Sequence, residues 1–258
     1  MTLDPVYIVL GACVGFVVGL TGVGGGSLMT PALVLLFGIH PATAVGTDLL
    51  YAATTKSFGS LVHGLRRNVA WRVVGLLALG SVPAAALTLL GLSQLGPHSG
   101  LMTKTITCAL GITLLITAVS LVFRRALMAV RRITPDRSGE RNAALTLLTG
   151  IVIGILVSIS SVGAGAIGVS ALLLLYPSYS ASRIVGTDIA HAVPLTLVAG
   201  LGHWMTGSVD LSMLASLTSG SVPAIVLGSY IAPRLPEIGL RYLLALVLAV
   251  AGGKLVAA

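Results

Sequence analysis

Long runs of apolar residues constrain this chain more than any other feature of its sequence. A bilayer crossing takes about 20 apolar residues, and only 9% of the 258 residues are charged, where a soluble domain has roughly a quarter. Too few polar side chains remain to cover a globule in water, which excludes a soluble enzyme. We predict an all-α polytopic membrane protein with six spans, near residues 43–64, 70–92, 105–123, 182–204, 209–231 and 238–257.

Two further apolar regions, 6–38 and 143–176, are longer than one span, and small residues interrupt each near its middle. The first break contains Thr21, Gly24, Gly25, Gly26 and Ser27, and the second contains Ser160, Ser161, Gly163 and Gly165. We predict that each region is a glycine-broken hairpin of two short helices that enters and leaves on the same side. Because the arms have only about 11 to 16 residues, a re-entrant hairpin is favoured over a full crossing.

The two halves of the chain repeat each other. Val45-Gly46-Thr47-Asp48 returns 140 positions later as Val185-Gly186-Thr187-Asp188. Gly80-Ser81-Val82-Pro83-Ala84 returns at the same offset, from Gly220 to Ala224, and so does His63, as His203. Several blocks in one register indicate a duplicated unit. We therefore predict a first repeat over 1–123, a basic cytoplasmic linker over 124–141 that forms a solvated loop, and a second repeat over 142–258.

The positions of the arginines predict how the repeats are oriented. A hairpin followed by three spans crosses the membrane an odd number of times, so the second repeat would be inverted. This topology places the linker on the same side as Arg66, Arg67, Arg72, Arg183, Arg234 and Arg241. Basic residues accumulate in cytoplasmic loops. We therefore expect both termini outside.

The net charge of +8 does not indicate a nucleic-acid partner, because the arginines lie in short stretches between apolar runs. The expected surroundings are the lipid bilayer, and the sequence leaves open a homo-oligomer. Cys13 and Cys108 each lie in an apolar run, without the Cys/His spacing of a metal site. We predict neither a metal nor a cofactor.

The two breaks are the first candidates for a binding site. A helix that restarts inside the bilayer presents free N–H groups and the positive end of its dipole, which suit an anion. Glycines allow close approach to the backbone, and hydroxyl groups add donors. The predicted anion-binding residues are those of both breaks together with Lys56; the alternative is that the small residues only allow close helix packing.

Lys56 lies near the middle of a predicted span, where a charge costs about 2.5–3.5 kcal/mol on insertion scales. It could attract an anion or neutralise a carboxylate. Asp48 is two helical turns away, roughly 12 Å of rise, so direct pairing would be strained. The alternative is that Lys56 snorkels or lies on an amphipathic face.

Asp48 and Asp188 occupy matching positions, and we weigh two roles for them. They could cap the starts of their helices. Alternatively, Asp48 with His203 and Asp188 with His63 could form outer and inner gates that respond to protons. His191 occupies the position of Tyr51 and either faces the substrate path or is a satisfied core histidine.

The sequence Gly24-Gly25-Gly26-Ser27 with Pro31 soon after, the Val-Gly-Thr-Asp motif and the paired Gly-Ser-Val-Pro segments resemble the TauE/SafE family of sulfite and organosulfonate transporters. The resemblance covers residues 6 to 257. It implies a multi-pass carrier in a bacterial inner membrane for small sulfur-containing anions. The second repeat departs from the first, because Gly163-Ala164-Gly165 replaces three glycines and no proline corresponds to Pro31.

We therefore expect a secondary transporter that works by alternating access, with export as the simpler direction. Each negative charge that leaves a cell gains about 2.3 kcal/mol per 100 mV of inside-negative potential. The alternatives are an anion channel and a carrier for another small organic anion. An intramembrane serine hydrolase is disfavoured, because no Gly-x-Ser-x-Gly or HExxH motif is present. We predict that the chain is not an enzyme.

Overall fold

The computed structural model describes residues 3–21, 26–95, 99–133, 139–231 and 237–257. These residues form helices and contain no strand, which confirms the all-α prediction for the described part of the chain. The helices are α1 (Pro5–Thr21), α2 (Gly26–Phe37), α3 (Pro41–Leu65), α4 (Trp71–Ser93), α5 (Gly100–Ile133), α6 (Gly139–Ser160), α7 (Ala166–Leu175), α8 (Ala181–Met205), α9 (Leu211–Ile231) and α10 (Glu237–Ala257).

Six stretches of the described residues are long and apolar enough to cross a membrane. They lie in α4, α5, α6, α8, α9 and α10, at Trp71–Ser93, Gly100–Arg124, Asn142–Ser160, Ala181–Met205, Leu211–Ile231 and Gly239–Ala257. The predicted span at 43–64 is the helix α3, with 25 residues, but it does not belong to this apolar set. It contains Asp48, Lys56 and several hydroxyl residues, and it is largely buried inside the bundle.

Both broken regions fold back on themselves. The ring of Tyr7, near the start of α1, lies 5.7 Å from that of Phe37 at the end of α2. In the second half, the hydroxyl groups of Thr146 on α6 and Tyr176 after α7 lie 2.8 Å apart. The short length predicted for all four arms is wrong for α6. Its 22 residues include a stretch long enough to span, because the helix begins at Gly139, before the apolar run.

The predicted loop at 124–141 is largely helical. Helix α5 continues to Ile133 and α6 begins at Gly139, while residues 134–138 lie outside the described residues. The prediction assumed that a cluster of charged residues marks a loop. Arginine is a good helix former, and the segment from Ala126 to Val130 between the two arginine pairs contains no helix-breaking residue.

Helices α3 and α8, which occupy equivalent positions in the two repeats, pack against each other and run antiparallel. A side chain at Gly46, near the start of α3, would collide with His203 near the end of α8. A side chain at Gly186, near the start of α8, would likewise collide with His63 near the end of α3. The glycine of each Val-Gly-Thr-Asp motif therefore permits this close crossing.

Among the other helix pairs that cross between the halves, two are parallel. In α1 and α9, Gly11 contacts Leu217 and Gly19 contacts Ile225. In α4 and α6, Gly150 contacts Leu77 and Gly154 contacts Ser81. Because these glycines have no side chain, the backbones come into direct contact, as in other membrane helix pairs with small residues at the interface.

The described arginine positions Arg66, Arg67, Arg72, Arg124 and Arg183 lie toward one end of this bundle. The turn between α3 and α4 lies beside the start of α8, because the Ala70 N–H donates to the Thr187 hydroxyl. The start of α5 lies at the other end, where His40 Nε2 is 2.9 Å from the Thr103 hydroxyl. Helix α5 therefore runs toward the end of the bundle that carries the arginines.

Candidate functional site

The second break is an irregular, buried turn between α6 and α7. Ser161 has a φ of 58°, and Gly163 and Gly165 have φ values of 120° and 138°. Positive φ angles are favourable for glycine and uncommon for serine. Together they turn the chain back within the protein interior. Gly165 precedes the first residue of α7 and offers no side-chain cap to the helix.

The hydroxyl groups of this break are engaged within the protein. Ser160 donates to the Leu156 carbonyl oxygen at 2.7 Å and accepts from the Val162 N–H at 3.2 Å. Ser161 donates to a carboxylate oxygen of Asp48 at 2.9 Å. The serines were predicted to donate to a bound anion. In this conformation their hydroxyl groups donate to oxygen atoms of the protein.

The first break is described only at its two edges. Thr21 ends α1, and its hydroxyl donates to the Val17 carbonyl oxygen at 2.8 Å. Gly26 begins α2, and Ser27 is buried in the first turn of that helix. The predicted binding residues Gly24 and Gly25 lie outside the described residues.

Asp48 joins three elements of the structure. It is fully buried on α3, and its Oδ2 accepts from the hydroxyl of Thr30 on α2 at 2.5 Å and from that of Ser161 in the second break. Hydrogen bonds to a carboxylate are shorter and stronger than bonds between neutral groups. Asp48 therefore ties the first hairpin to the second break.

Asp188, its counterpart on α8, lies in a different environment. The carboxyl group packs against α7, where a side chain at Gly168 would collide with Asp188 Oδ1. This buried oxygen has no hydrogen-bond partner among the described residues. The two equivalent aspartates are thus satisfied to different degrees.

Helix capping by these aspartates is wrong. Both lie well inside helices that begin at Pro41 and Ala181. The preceding threonines act at the starts of other helices instead, because Thr47 accepts from the Asp210 N–H before α9 and Thr187 accepts from the Ala70 N–H before α4, each at 3.0 Å. A Thr-Asp pair before an apolar run does not by itself mark a helix start.

Lys56 ends inside the protein and not at the membrane interface. The residue is only 9% exposed, and its Nζ donates to the carbonyl oxygen of Ala164, in the second break, at 3.0 Å. Both Asp48 and Asp188 interact electrostatically with it. The amine of Lys56 therefore lies beside the broken backbone, near enough to interact with both carboxyl groups.

The histidines do not pair with the aspartates by hydrogen bonds among the described residues. His203 Nε2 lies 2.9 Å from the Ser158 carbonyl oxygen, and His191 Nε2 lies 2.8 Å from the Ser81 hydroxyl. His63 packs beside Gly186, and its buried Nδ1 has no partner among the described residues. The predicted gates of Asp48 with His203 and Asp188 with His63 remain a prediction.

A cavity of about 100 Å³ lies beside the described edges of both breaks. Thr21 from the end of α1 and Gly165 from the start of α7 contribute to its wall, together with Ser120 and Arg124 of α5 and Ser170 of α7. The remaining lining residues are Leu121, Ala166, Val169 and Val185. We refer to this space as the break cavity.

Three polar residues of the break cavity were not predicted from the sequence. The hydroxyl groups of Ser120 and Ser170 lie 2.6 Å apart, which joins α5 to α7, and Arg124 is one helical turn beyond Ser120. The spacing of four residues that places Ser120 and Arg124 on one face of α5 was a usable signal. It was missed because Arg124 was assigned to the linker.

A second cavity, of about 400 Å³, lies among α1, α2 and α10 and is lined by apolar side chains, including Leu10, Leu28 and Leu244. It offers no charged or hydroxyl group to an anion. Among the described residues there is also no group of three histidine, cysteine or acidic residues that could hold a metal ion. The break cavity lies beside both breaks and beside the buried charges, and these together are the candidate site.

Comparisons with known proteins agree on one family. The family model described as sulfite exporter TauE/SafE matches residues 7–255. The probable membrane transporter protein YjnA of Bacillus subtilis is 40% identical over 96% of this chain and 98% of its own length.

More distant relatives match over most of their length. YdhB of Bacillus subtilis is 24% identical over 92% of this chain and 94% of its own, and MJ0441 of Methanocaldococcus jannaschii is 24% identical over 81% and 75%. Both are named probable membrane transporter proteins. No solved structure matches the chain at a significant level. The resemblance found in the sequence is confirmed, and the chain belongs to the TauE/SafE family of membrane transporters.

Proposed function

We propose that this chain is a secondary transporter that moves a small sulfur oxyanion, sulfite or a small sulfonate, across a bacterial inner membrane. The observation that carries the proposal is the break cavity, a small space beside two broken helices with an arginine and three hydroxyl residues in its wall. Irregular backbone at membrane depth is tolerated where it is buried or lines a cavity. The family description, sulfite exporter, supplies the substrate class.

The break cavity suits a small anion better than a large one. Its volume of about 100 Å³ is far below the 300 Å³ or more of sites for drug-sized ligands. Arg124 supplies positive charge and planar donors that match an oxyanion. Thr21, Ser120 and Ser170 bring hydroxyl groups to the wall, which bond within the protein in this conformation and would have to turn toward an anion to donate to it. The start of α7 adds the positive end of a helix dipole. The glycines and serines of both breaks and Lys56 complete the proposed binding region.

We further propose that the halves are inverted repeats that work by alternating access. The antiparallel packing of α3 on α8 supports inversion, because equivalent helices run in opposite directions. The parallel pairs α1 with α9 and α6 with α4 correspond to each other. In each pair, the first helix of one half packs against the fourth helix of the other half. Carriers with inverted repeats bind substrate where the repeats meet.

In this arrangement the end of the bundle with Arg66, Arg67, Arg72 and Arg183 is the cytoplasmic one, and both termini lie outside. Helix α5 runs toward this end, so Arg124 lies on the cytoplasmic side of the break cavity. Export is then the direction that the membrane potential favours for an anion that crosses without a coupled proton.

The experiment is transport in liposomes. The purified protein is reconstituted, and uptake of labelled sulfite is measured with sulfoacetate, taurine, sulfate and acetate as competitors. We expect saturable flux that a sulfonate inhibits and that protein-free liposomes lack. If no sulfur oxyanion crosses while acetate does, the chain transports another class of small anion and the proposal fails.

Variants of Arg124 test the position of the site. We expect Arg124→Gln to raise the KM for sulfite at least tenfold and Arg124→Lys to raise it less, because lysine keeps the charge without the planar donors. Arg66→Gln removes an exposed arginine at the same end of the bundle and serves as the matched control. Equal KM values for Arg124→Gln and Arg66→Gln would move the substrate site away from the break cavity.

A further inference from the structure

The two equivalent aspartates differ in a way that their repeated sequence does not show. Oδ1 is buried without a partner among the described residues in both aspartates, but Oδ2 of Asp48 accepts two hydroxyl hydrogen bonds, from Thr30 and Ser161, and the described residues give Asp188 none. Two carboxyl groups at matching positions thus have different abilities to remain ionised, because hydroxyl donors stabilise the charged form.

The hairpins explain the difference. The contact of Tyr7 with Phe37 corresponds to that of Thr146 with Tyr176, and each residue of the second contact lies 139 positions after its counterpart. In this register Thr30 corresponds to Val169, which has no hydroxyl. Helix α7 instead presents Gly168 to the carboxyl group of Asp188. The second repeat therefore lacks the hydroxyl donor that corresponds to Thr30.

The charges around Asp188 do not compensate for this loss. Lys56 on α3 faces it, but the same ammonium also faces Asp48 and donates to the Ala164 carbonyl oxygen. One cation thus serves two buried carboxyl groups. A buried carboxylate without full compensation costs several kcal/mol, and binding a proton removes that cost.

Few other titratable groups lie on the elements packed against Asp188. Its own helix has His191, whose Nε2 is engaged by Ser81, and Arg183 at the first turn, stacked on Tyr179. Helix α3 adds His63, near its end. Helix α4 brings Arg72 at its start, while α7 and the described side chains of α6 bring none.

Asp188 is also close to the proposed substrate. Val185, one helical turn before it on α8, and Val169, which follows Gly168 on α7, both line the break cavity. An ionised Asp188 would repel an anion in this cavity, and a protonated Asp188 would not. Proton binding and anion binding therefore favour each other, and by linkage the effect is reciprocal.

We propose that Asp188 binds the proton that crosses the membrane together with the anion, which makes the chain an anion–proton cotransporter. This inference rests on the proposed function. Asp48 stays ionised, held by its two hydroxyl donors, and acts as a structural tie. The proton moves on and off one carboxyl oxygen, and no covalent bond changes in the substrate.

The test compares two modes of sulfite transport in liposomes. In wild-type protein, an inward proton gradient drives labelled sulfite above its equilibrium level, and labelled sulfite also exchanges with unlabelled sulfite at equal pH on both sides. In Asp188→Asn we expect exchange to persist while proton-driven accumulation falls at least tenfold. Asp210→Asn, at the start of α9 outside the buried cluster, is the control that keeps both modes.

The outcomes separate this inference from the proposed function. If wild-type protein neither exchanges nor accumulates sulfite, the proposed function fails. If it exchanges sulfite without responding to the proton gradient, or if Asp188→Asn accumulates sulfite like wild type, the cotransport inference fails alone. Loss of both modes in an Asp188→Asn protein that remains monodisperse would also overturn it, because Asp188 would then serve translocation itself.

A second variant covers the case in which Asp188→Asn does not fold. Val169→Thr is nearly isosteric and places a hydroxyl at the position that corresponds to Thr30. If this hydroxyl donates to Asp188, the ionised form gains a partner, and the pH of half-maximal proton-driven flux should fall by about one unit. An unchanged pH profile together with normal sulfite exchange would contradict the assignment.

Discussion

Asp48 shows how a single buried carboxylate can fix the position of a break in a helix. It accepts hydrogen bonds from Thr30 and Ser161, so removing it leaves two buried hydroxyl groups without an acceptor. We expect Asp48→Ala to lower the free energy of unfolding by about 3–6 kcal/mol, since two hydrogen bonds are lost and bonds to charged groups contribute about 1.5–3 kcal/mol each. The measurement is thermal unfolding of the purified protein in detergent.

Asp48→Asn is the matched variant, because its amide oxygen keeps one acceptor at the same position. It should lose less than half of what Asp48→Ala loses. If both variants unfold at the wild-type temperature, Asp48 does not tie α2 to the second break.

At the level of residues, the sequence predicted which groups are chemically unusual but not what they contact. Asp48, Lys56 and Asp188 are recognisable because a charge in an apolar run is expensive and rare. The partners Thr30 and Gly168 come from a different hairpin in each case, and hydroxyl groups and glycines are common along the whole chain. Nothing local to these residues indicates that they face an aspartate.

At the level of elements, close helix crossings depend on particular glycines. In α4, Gly80 faces the backbone of α6 at Leu147, whereas Gly75 in the same helix has open space around it. We expect Gly80→Val to lower the unfolding free energy by about 3 kcal/mol or more, because overpacking at a tight contact typically costs 1–3 kcal/mol and here the obstacle is backbone. Thermal unfolding in detergent measures the effect.

Gly75→Val controls for the intrinsic effect of valine in the same helix. Its unfolding temperature should stay close to that of wild type. Equal destabilisation by both variants would mean that helix propensity, and not the α4–α6 contact, explains the loss.

Helix existence was predictable and helix ends were not. The apolar runs predicted α4, α8, α9 and α10 because hydrophobicity and length decide a span. The ends of α5 and α6 were misplaced because a helix that leaves the bilayer can continue in water. There its residues need good helix propensity and not apolar side chains. The arginines of 124–141 therefore do not mark the end of the helix.

At the level of the whole molecule, the proposed topology predicts which side of the membrane each end of the bundle faces. In a variant with Cys13 and Cys108 replaced by alanine, we expect a cysteine at Lys104 to react with a membrane-impermeant maleimide added outside intact cells. A cysteine at Arg66 should react only after the cells are opened, because Arg66 lies at the end of the bundle with the arginines. Labelling of Arg66→Cys in intact cells would reverse the proposed orientation.

The duplication was visible in the sequence because its blocks share one register, but the packing of α3 on α8 is seen only in the structure. The differences between the repeats were not visible in functional terms. The hairpins correspond at an offset of 139 positions, one less than the Val-Gly-Thr-Asp motifs. Thr30, which donates to Asp48, therefore corresponds to Val169, and Gly168 packs against Asp188. Only the packed structure shows that this shift leaves Asp48 with two hydroxyl donors and Asp188 with none among the described residues.

The most direct test of a carrier for small sulfur oxyanions is counter-transport in liposomes. Vesicles loaded with unlabelled sulfite are diluted into labelled sulfite, and the internal label is followed over time at equal pH. We predict a transient accumulation of label above its equilibrium level, absent from vesicles loaded with sodium chloride, because an alternating-access carrier returns faster with substrate bound. Entry of label that never exceeds equilibrium and does not depend on internal sulfite would indicate a channel and contradict the account.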